Sequence, residues 1–408
     1  MMTAAIFVAI LFLYALFSKR LAQTPLTAPI VFTTLGMLLS TKWVHVAAAA
    51  VTSTVFLRVA ELGLVLLLFT DASRTDLSIL RNIGTLPARL LSAGMLLTIV
   101  LGALAARVVF PGLSWWEAGI LGAILAPTDA GLGQVVVSSE RVPMRIRQAL
   151  NVEAGLNDGL SVPFLLFFMA LAAAKIEGGT TALLQFMGEQ LGLGILVGIG
   201  IGLFGGGMLR VANNRKWMSE GFQQIAVVSL PLFCLLFAEM LDASLFIAAF
   251  VAGLAVQVPF KQASTHSVEF AEEWGQIFNL SVFFLFGMVV IRDWQQFTPG
   301  CWIYAILSLT VVRMLPVAIA LIGTRLSRAS ILFMGWFGPR GLASIVLGLV
   351  YLEQELHLPG EPRIRVVVMA TVLLSIFLHG LSAMPGIAIY SRDVAGLAPS
   401  SPERQVEA

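Results

Sequence analysis

The chain has 408 residues, of which 58% are hydrophobic and 12% charged, with a mean hydropathy of +0.91. Soluble domains carry about 25% charged residues, so a soluble globular fold and a disordered chain are both excluded, and the composition is that of a protein living in lipid. The 25 Lys and Arg against 23 Asp and Glu leave no basic surplus for nucleic acid. The two cysteines, Cys234 and Cys301, lie in apolar runs and form neither a disulfide framework nor a Cys-type metal site.

A bilayer-crossing helix needs roughly 20 mostly apolar residues. Thirteen apolar runs are readable, at 2–17, 25–41, 57–72, 84–110, 113–137, 147–174, 182–210, 220–240, 243–260, 268–291, 300–323, 328–353 and 364–390. In the first run Lys19 and Arg20 follow the apolar stretch; a secretory signal has its charges in front, so this run reads as a retained helix. The basic clusters Lys19–Arg20, Arg141–Arg147 and Arg210–Lys216 fall on one set of loops. The bias of Lys and Arg toward cytoplasmic loops then orients the chain with its N-terminus outside and its C-terminus in the cytoplasm. Residues 1–390 read as one transmembrane domain, with a core bundle over about 84–174 and 300–390 and the other helices as scaffold. Residues 391–408 read as a short, frayed cytoplasmic tail. No phosphate-cradling G-x-x-x-x-G-K-[ST] motif is present, so no nucleotide is used. Any transport would run on an ion gradient or the substrate's own gradient.

A charge at the bilayer centre costs at least ~2.5–3.5 kcal/mol, which makes deep ionisable residues the candidates for function. Run three ends on Asp71. Run five carries Ala126-Pro127-Thr128-Asp129-Ala130, with Gly131 and Gly133 behind it. Pro127 removes a backbone donor and clashes with the preceding turn, so the helix is expected to break around Asp129. Such breaks are tolerated in lipid only where they are buried in protein or line a wet cavity. Glu117 and Glu239, nearer run ends, read as solvated or interfacial.

Run six holds Asn151-Val152-Glu153-Ala154-Gly155-Leu156-Asn157-Asp158-Gly159. Glu153 and Asn157 are four apart and share a helix face, while Asp158 points about 100° from Asn157. One carboxylate of this run can thus meet an interior partner and the other a cavity. In run seven, Gly194, Gly198, Gly202 and Gly206 form a stripe that lets another helix approach closely. Run twelve repeats the interruption with Gly338-Pro339-Arg340-Gly341. Runs five and twelve are an odd number apart and cross in opposite directions, which points to inverted repeats around a midplane site. Two arginines not assigned to loops, Arg313 and Arg340, are left inside apolar runs, and they cannot pair Asp129, Glu153 and Asp158 one to one. His379, in the last run, reads as a satisfied core histidine.

Thr128-Asp129 on an interrupted helix, Glu153 with Asn157-Asp158-Gly159 on the next, Arg313, and Gly338-Pro339-Arg340-Gly341 together resemble the monovalent cation/proton antiporters. The likeness is to the sodium/proton exchanger branch with an Asn-Asp pair (NhaP-like) and covers about residues 5–390. It implies an all-α polytopic fold of about thirteen transmembrane helices with two interrupted, crossing helices in inverted repeats. It implies that Asp158 binds proton and cation alternately, that Asp129 and Thr128 help hold the ion, and that Asp71 lies near it. Asn157 would stand where electrogenic relatives have a second Asp, making the exchange electroneutral. Glu153 and Arg313 would form a structural ion pair, and Arg340 would balance the crossed helices. The expected substrates are H+ and a monovalent cation, Na+ first, with K+ or Li+ as alternatives. The expected state is a homodimer in a bacterial inner membrane, serving pH homeostasis, with no cofactor and no enzymatic activity. Relatives often have Ser after the Glu; here Ala154 leaves a hydroxyl ligand missing. A passive cation channel or an organic-ion carrier remains the alternative.

The exchange logic follows from the residues as well. A free Asp, with a pKa of roughly 3.9, stays ionised at cellular pH and cannot trade a proton for a cation. Low dielectric and a second carboxylate favour the protonated form, so paired buried acids can do so. Oxygen ligands suit hard cations such as sodium.

Overall fold

The structure is a computed structural model that describes residues 2–21, 24–40, 53–75, 86–177, 188–260, 265–398 and 401–404. Its elements are helical: α1 (Met2–Leu21), α2 (Ala28–Ser40), α3 (Ser53–Arg74), α4 (Leu86–Val109), α5 (Trp115–Ile124), α6 (Ala130–Val137), α7 (Met144–Glu177) and α8 (Gly188–Asn214) come first. They are followed by α9 (Glu220–Met240), α10 (Leu245–Val256), α11 (Thr265–Arg292), α12 (Pro299–Ala320, kinked at Thr310), α13 (Arg328–Trp336), α14 (Leu342–Glu353) and α15 (Glu361–Ala395). Among the described residues, eight helices are long and apolar enough to cross a membrane. The helices fall on the apolar runs read from the sequence; residues 182–187 of the seventh run lie outside the described residues.

Runs five and twelve are interrupted where proline and glycine stand. α5 starts on a capping box: Ser114 Oγ accepts from Glu117 N at 3.2 Å and Glu117 Oε2 accepts from Ser114 N at 2.7 Å. The helix stops at Ile124, ahead of Pro127, and α6 restarts after Asp129. α13 stops at Trp336, ahead of Gly338-Pro339, and α14 restarts at Leu342. The two breaks meet. Asp129 N donates to Pro339 O at 2.8 Å, and Ser344 Oγ donates to Ile124 O at 2.8 Å. Only glycine fits at 341, because a Cβ there would fall on Asp129 Oδ2.

The helices pack in two groups. α4, α5 and α7 lie together with α12 and α15, and the short helices α6, α13 and α14 sit among them. α3 and α11 pack on each other, with α2 against α11, α10 against α3, and α8 and α9 against α10. α3 touches α7 and α14 across the seam between the groups, and α10 touches α7. The glycine stripe of α8 faces α10: a Cβ at Gly198 would lie 2.6 Å from Ala248 O, and one at Gly202 2.7 Å from Ala252 O. The small residues therefore serve intrachain packing. Large apolar side chains such as Phe12 and Phe17 of α1, Leu196 and Phe204 of α8, and Phe222 and Phe237 of α9 are exposed, as expected of surfaces that meet lipid rather than water.

Two expectations are corrected. Glu117 is buried, not solvated: its Oε1 also accepts from Gly360 N at 2.6 Å, so one carboxylate ties the start of α5 to the start of α15. The tail is not simply frayed. α15 continues to Ala395, and Glu403 Oε1 accepts from Ser327 N at 2.6 Å and from Ser330 Oγ at 2.9 Å, so the chain folds back onto the start of α13.

Candidate ion-binding site

The crossing of the broken helices brings four helix ends into the interior. A helix N-terminus carries partial positive charge and a C-terminus partial negative charge, and each end leaves backbone groups without intrahelical partners. Both positive ends are answered by Asp129. Its Oδ1 accepts from Leu132 N of α6 at 2.8 Å, and its Oδ2 accepts from Leu342 N of α14 at 2.5 Å.

The negative ends are answered by cations and a histidine. Arg340 is fully buried, and its Nη1 donates to Ala126 O at 2.5 Å and Pro127 O at 2.9 Å, just past the end of α5. Arg313 Nη2 reaches Met334 O of α13 at 3.5 Å. A relay serves Trp336 O: Arg340 N donates to Ser375 Oγ at 2.7 Å, Ser375 Oγ lies 3.1 Å from His379 Nδ1, and His379 Nε2 lies 2.9 Å from Trp336 O. Nδ1 also lies 3.0 Å from Ser375 O, so both ring nitrogens face carbonyl oxygens, which can only accept. His379 is thus a partnered core histidine.

Glu153 and Arg313 form a bidentate pair, Nη1–Oε1 at 2.5 Å and Nη2–Oε2 at 2.9 Å, with both side chains buried. This geometry occupies both acceptor oxygens and leaves neither charge alone. Asn157 Nδ2 donates to Thr128 Oγ1 at 2.7 Å, joining α7 to the segment between α5 and α6.

Asp158 differs from every other acid of the crossing. It is 3% exposed, no Lys or Arg forms an ion pair with it among the described residues, and its Oδ1 has no hydrogen-bond partner there. Asp129 and Asp71 both lie within electrostatic reach of it. Asp71 comes from α3 and packs on α7 at Gly155, where a Cβ would stand 3.2 Å from its own. Three acids from three helices therefore share one interior region, and a helix-end carboxylate is one of them.

A cavity of about 920 Å³ reaches this region at Asp71, while Asp129 and Asp158 are not among its lining residues. Asp71, Gly131, Gln134, Asn151, Gly155 and Asn279 are among its lining residues. At its rim stand Arg74 near the end of α3, Arg145 near the start of α7 and Glu272 near the start of α11, with Arg74 and Glu272 ion-paired. Its charged lining residues other than Asp71 thus come from the end of α3 and the starts of α7 and α11.

Of the residues singled out from the sequence, the crossing brings together Thr128, Asp129, Asn157, Asp158, Glu153, Arg313 and Arg340, with Asp71 facing them from α3. Two others went unnoticed. Glu61 of α3 is 2% exposed and paired with Arg58 at 3.0 Å; the i,i+3 spacing of opposite charges inside an apolar run was the available signal. Asn279 of α11 reaches the cavity, and as a single amide in an apolar run it gave no comparable signal.

Comparison with known proteins points one way. A family model described as "Sodium/hydrogen exchanger, transmembrane" matches residues 6–387. The Na(+)/H(+) antiporter 2 of Zygosaccharomyces rouxii is 28% identical over 279 residues, 64% of this chain and 34% of the relative. The K(+)/H(+) antiporter NhaP of Alkalimonas amylolytica is 25% identical over 385 residues, 93% of this chain and 65% of the relative. The chain thus spans about a third of the first relative and just under two thirds of the second. The solved structure of the sodium proton antiporter MjNhaP1 from Methanocaldococcus jannaschii at pH 8 superposes with a TM-score of 0.74 at 18% identity, over 97% of this chain and 99% of that one, and so shares its fold.

Proposed function

The chain belongs to the sodium/hydrogen exchanger transmembrane family, and from that premise we propose that it is a secondary antiporter exchanging a monovalent cation for H+ by alternating access. The observation that carries this reading is Asp158: a buried carboxylate, without a guanidinium partner among the described residues, within electrostatic reach of two further acids, one of which, Asp71, lines a cavity. Such a group holds a proton or a cation, not both. Crossing the membrane with the carboxylate bare would move an uncompensated charge through low dielectric, so the empty carrier is held back and leak is suppressed.

Each neighbour takes a role in that cycle. Asp129, whose oxygens accept backbone N–H groups at the starts of α6 and α14, adds a carboxylate to the ion's surroundings. Thr128 and Asn157 hold the break beside it, and Asp71 adds a third acid from the opposite helix group. Glu153–Arg313 and Arg340 brace the crossing. With Asn157, bonded to Thr128, standing where electrogenic relatives carry a second Asp, one proton is exchanged per cation and the exchange is electroneutral. The broken helices with α4, α7, α12 and α15 form the moving core, and α2, α3 and α8–α11 the scaffold of a homodimer. With thirteen crossings and the N-terminus outside in a bacterial inner membrane, the cavity faces the cytoplasm. Na+ and K+ are both candidate substrates, since relatives named for each are similar to this chain.

Proteoliposomes containing the purified chain test this. Inward or outward gradients of Na+, K+ or Li+ should drive opposite proton movement, and an imposed voltage should leave the rate unchanged. A current that scales with voltage and carries no protons would instead identify a channel.

A further inference from the structure

We infer that Asn279, through its side-chain oxygen, is a cation ligand contributed from α11 across the seam between the two helix groups. The inference rests on the antiport reading and extends it to a residue outside the motif-bearing helices. Asn279 lines the cavity. Its Oδ1 is buried and has no hydrogen-bond partner among the described residues. Its Nδ2 lies 3.4 Å from the point where a Cβ of Gly131 would stand, and Asp129 Oδ1 lies 3.1 Å from that same point. The amide nitrogen and the carboxylate thus flank one spot on the first turn of α6, glycine at 131 leaves that spot open, and a half-turn of the carboxamide brings Oδ1 to it in place of Nδ2.

Chemistry favours a ligand over a brace. A bracing amide would have its oxygen engaged, because an unpaired buried acceptor is costly. Asn157 Oδ1 and Asp158 Oδ1 at the crossing, and Thr27 Oγ1 on the same cavity wall, likewise lack partners among the described residues. Neutral amide oxygens beside carboxylates are the donor set of a hard monovalent cation, able to replace its water shell. Ala154 offers no hydroxyl at its position, and Asn279 supplies a neutral oxygen from another direction. Since α11 belongs to the other helix group, this ligand is available only while the broken helices face it in the arrangement seen here.

The test compares Asn279→Ala and Asn279→Ser with the wild-type chain, in proteoliposomes and by the shift of melting temperature with added Na+, K+ or Li+. Removing one oxygen ligand should raise the half-saturating cation concentration about tenfold. It should change the preference among the three ions, while the rate at saturating cation falls less than about threefold. Asn279→Ser, which restores an oxygen, should recover part of the affinity. If the alanine variant fails to accumulate, the serine variant carries the same comparison. Half-saturation and ion preference equal to wild type in the alanine variant, or in the serine variant where alanine does not accumulate, would overturn the inference, as would a loss of rate with unchanged affinity in both. A wild-type chain that shows a cation-dependent melting shift without proton exchange would refute the antiport reading and leave the ligand assignment standing. A wild-type chain with neither would refute both.

Discussion

Asp158→Asn is expected to reduce cation-driven proton movement to the background of vesicles lacking the protein. The amide keeps the size of the side chain and its place on α7, but it neither accepts a proton at cellular pH nor carries the charge that attracts a cation. Folding should survive, because no hydrogen bond to the Asp158 carboxylate oxygen Oδ1 exists to be lost among the described residues. The check is a fluorescence assay of proton release in everted vesicles, normalised to protein amount. Retained exchange in this variant would remove Asp158 from the mechanism. Asp129→Asn should behave differently. One of its two carboxylate oxygens becomes an amide donor, turned toward either Leu132 N or Leu342 N. That places donor against donor at a helix start, so this variant should lose melting temperature as well as rate.

Breaking the Glu153–Arg313 pair should be the largest stability effect in the molecule. Both groups are buried and paired through two hydrogen bonds. Removing one partner strands the other charge, which typically costs about 3–5 kcal/mol. Glu153→Gln and Arg313→Met should each lower the amount of folded protein recovered from membranes and the melting temperature in detergent. The reversal, Glu153→Arg with Arg313→Glu, restores opposite charges, but Arg313 also faces Met334 O at the end of α13. A carboxylate there meets a carbonyl at a negative helix end, so recovery should be partial. Normal accumulation and melting of both single variants would show that the pair braces nothing.

Much of this arrangement was readable from the sequence because lipid imposes hard rules. Backbone breaks must be sheltered, so Pro127 and Pro339 with their glycines marked the crossing. Deep charges must be answered, so Glu153, Arg313 and Arg340 stood out as needing partners, while the pairing of Glu153 with Arg313, 160 positions apart, came from the family resemblance. The α8 glycine stripe could be read as a close approach, though not its partner, because spacing names a helix face and not what meets it. What escaped depends on three-dimensional convergence. Asp129 joins the starts of α6 and α14, and Glu117 those of α5 and α15; each acid lies next to only one of its two helices in sequence. Asn279 is one amide in an apolar helix, and its meaning comes from Gly131 and Asp129, which lie far from it along the chain. Glu403 sits in a polar stretch whose composition resembles that of any loose terminus, and only its contact with Ser327 and Ser330 shows otherwise.

The competition of a proton and a cation for one carboxylate can be measured without transport. Purified protein is titrated with the preferred cation in buffers of different ionisation enthalpy, and the heats give the number of protons released per cation bound. The value should be close to one for the wild-type chain near neutral pH, with no cation binding detectable in Asp158→Asn. Cation binding that releases no proton, or binding that persists unchanged in Asp158→Asn, would contradict the account.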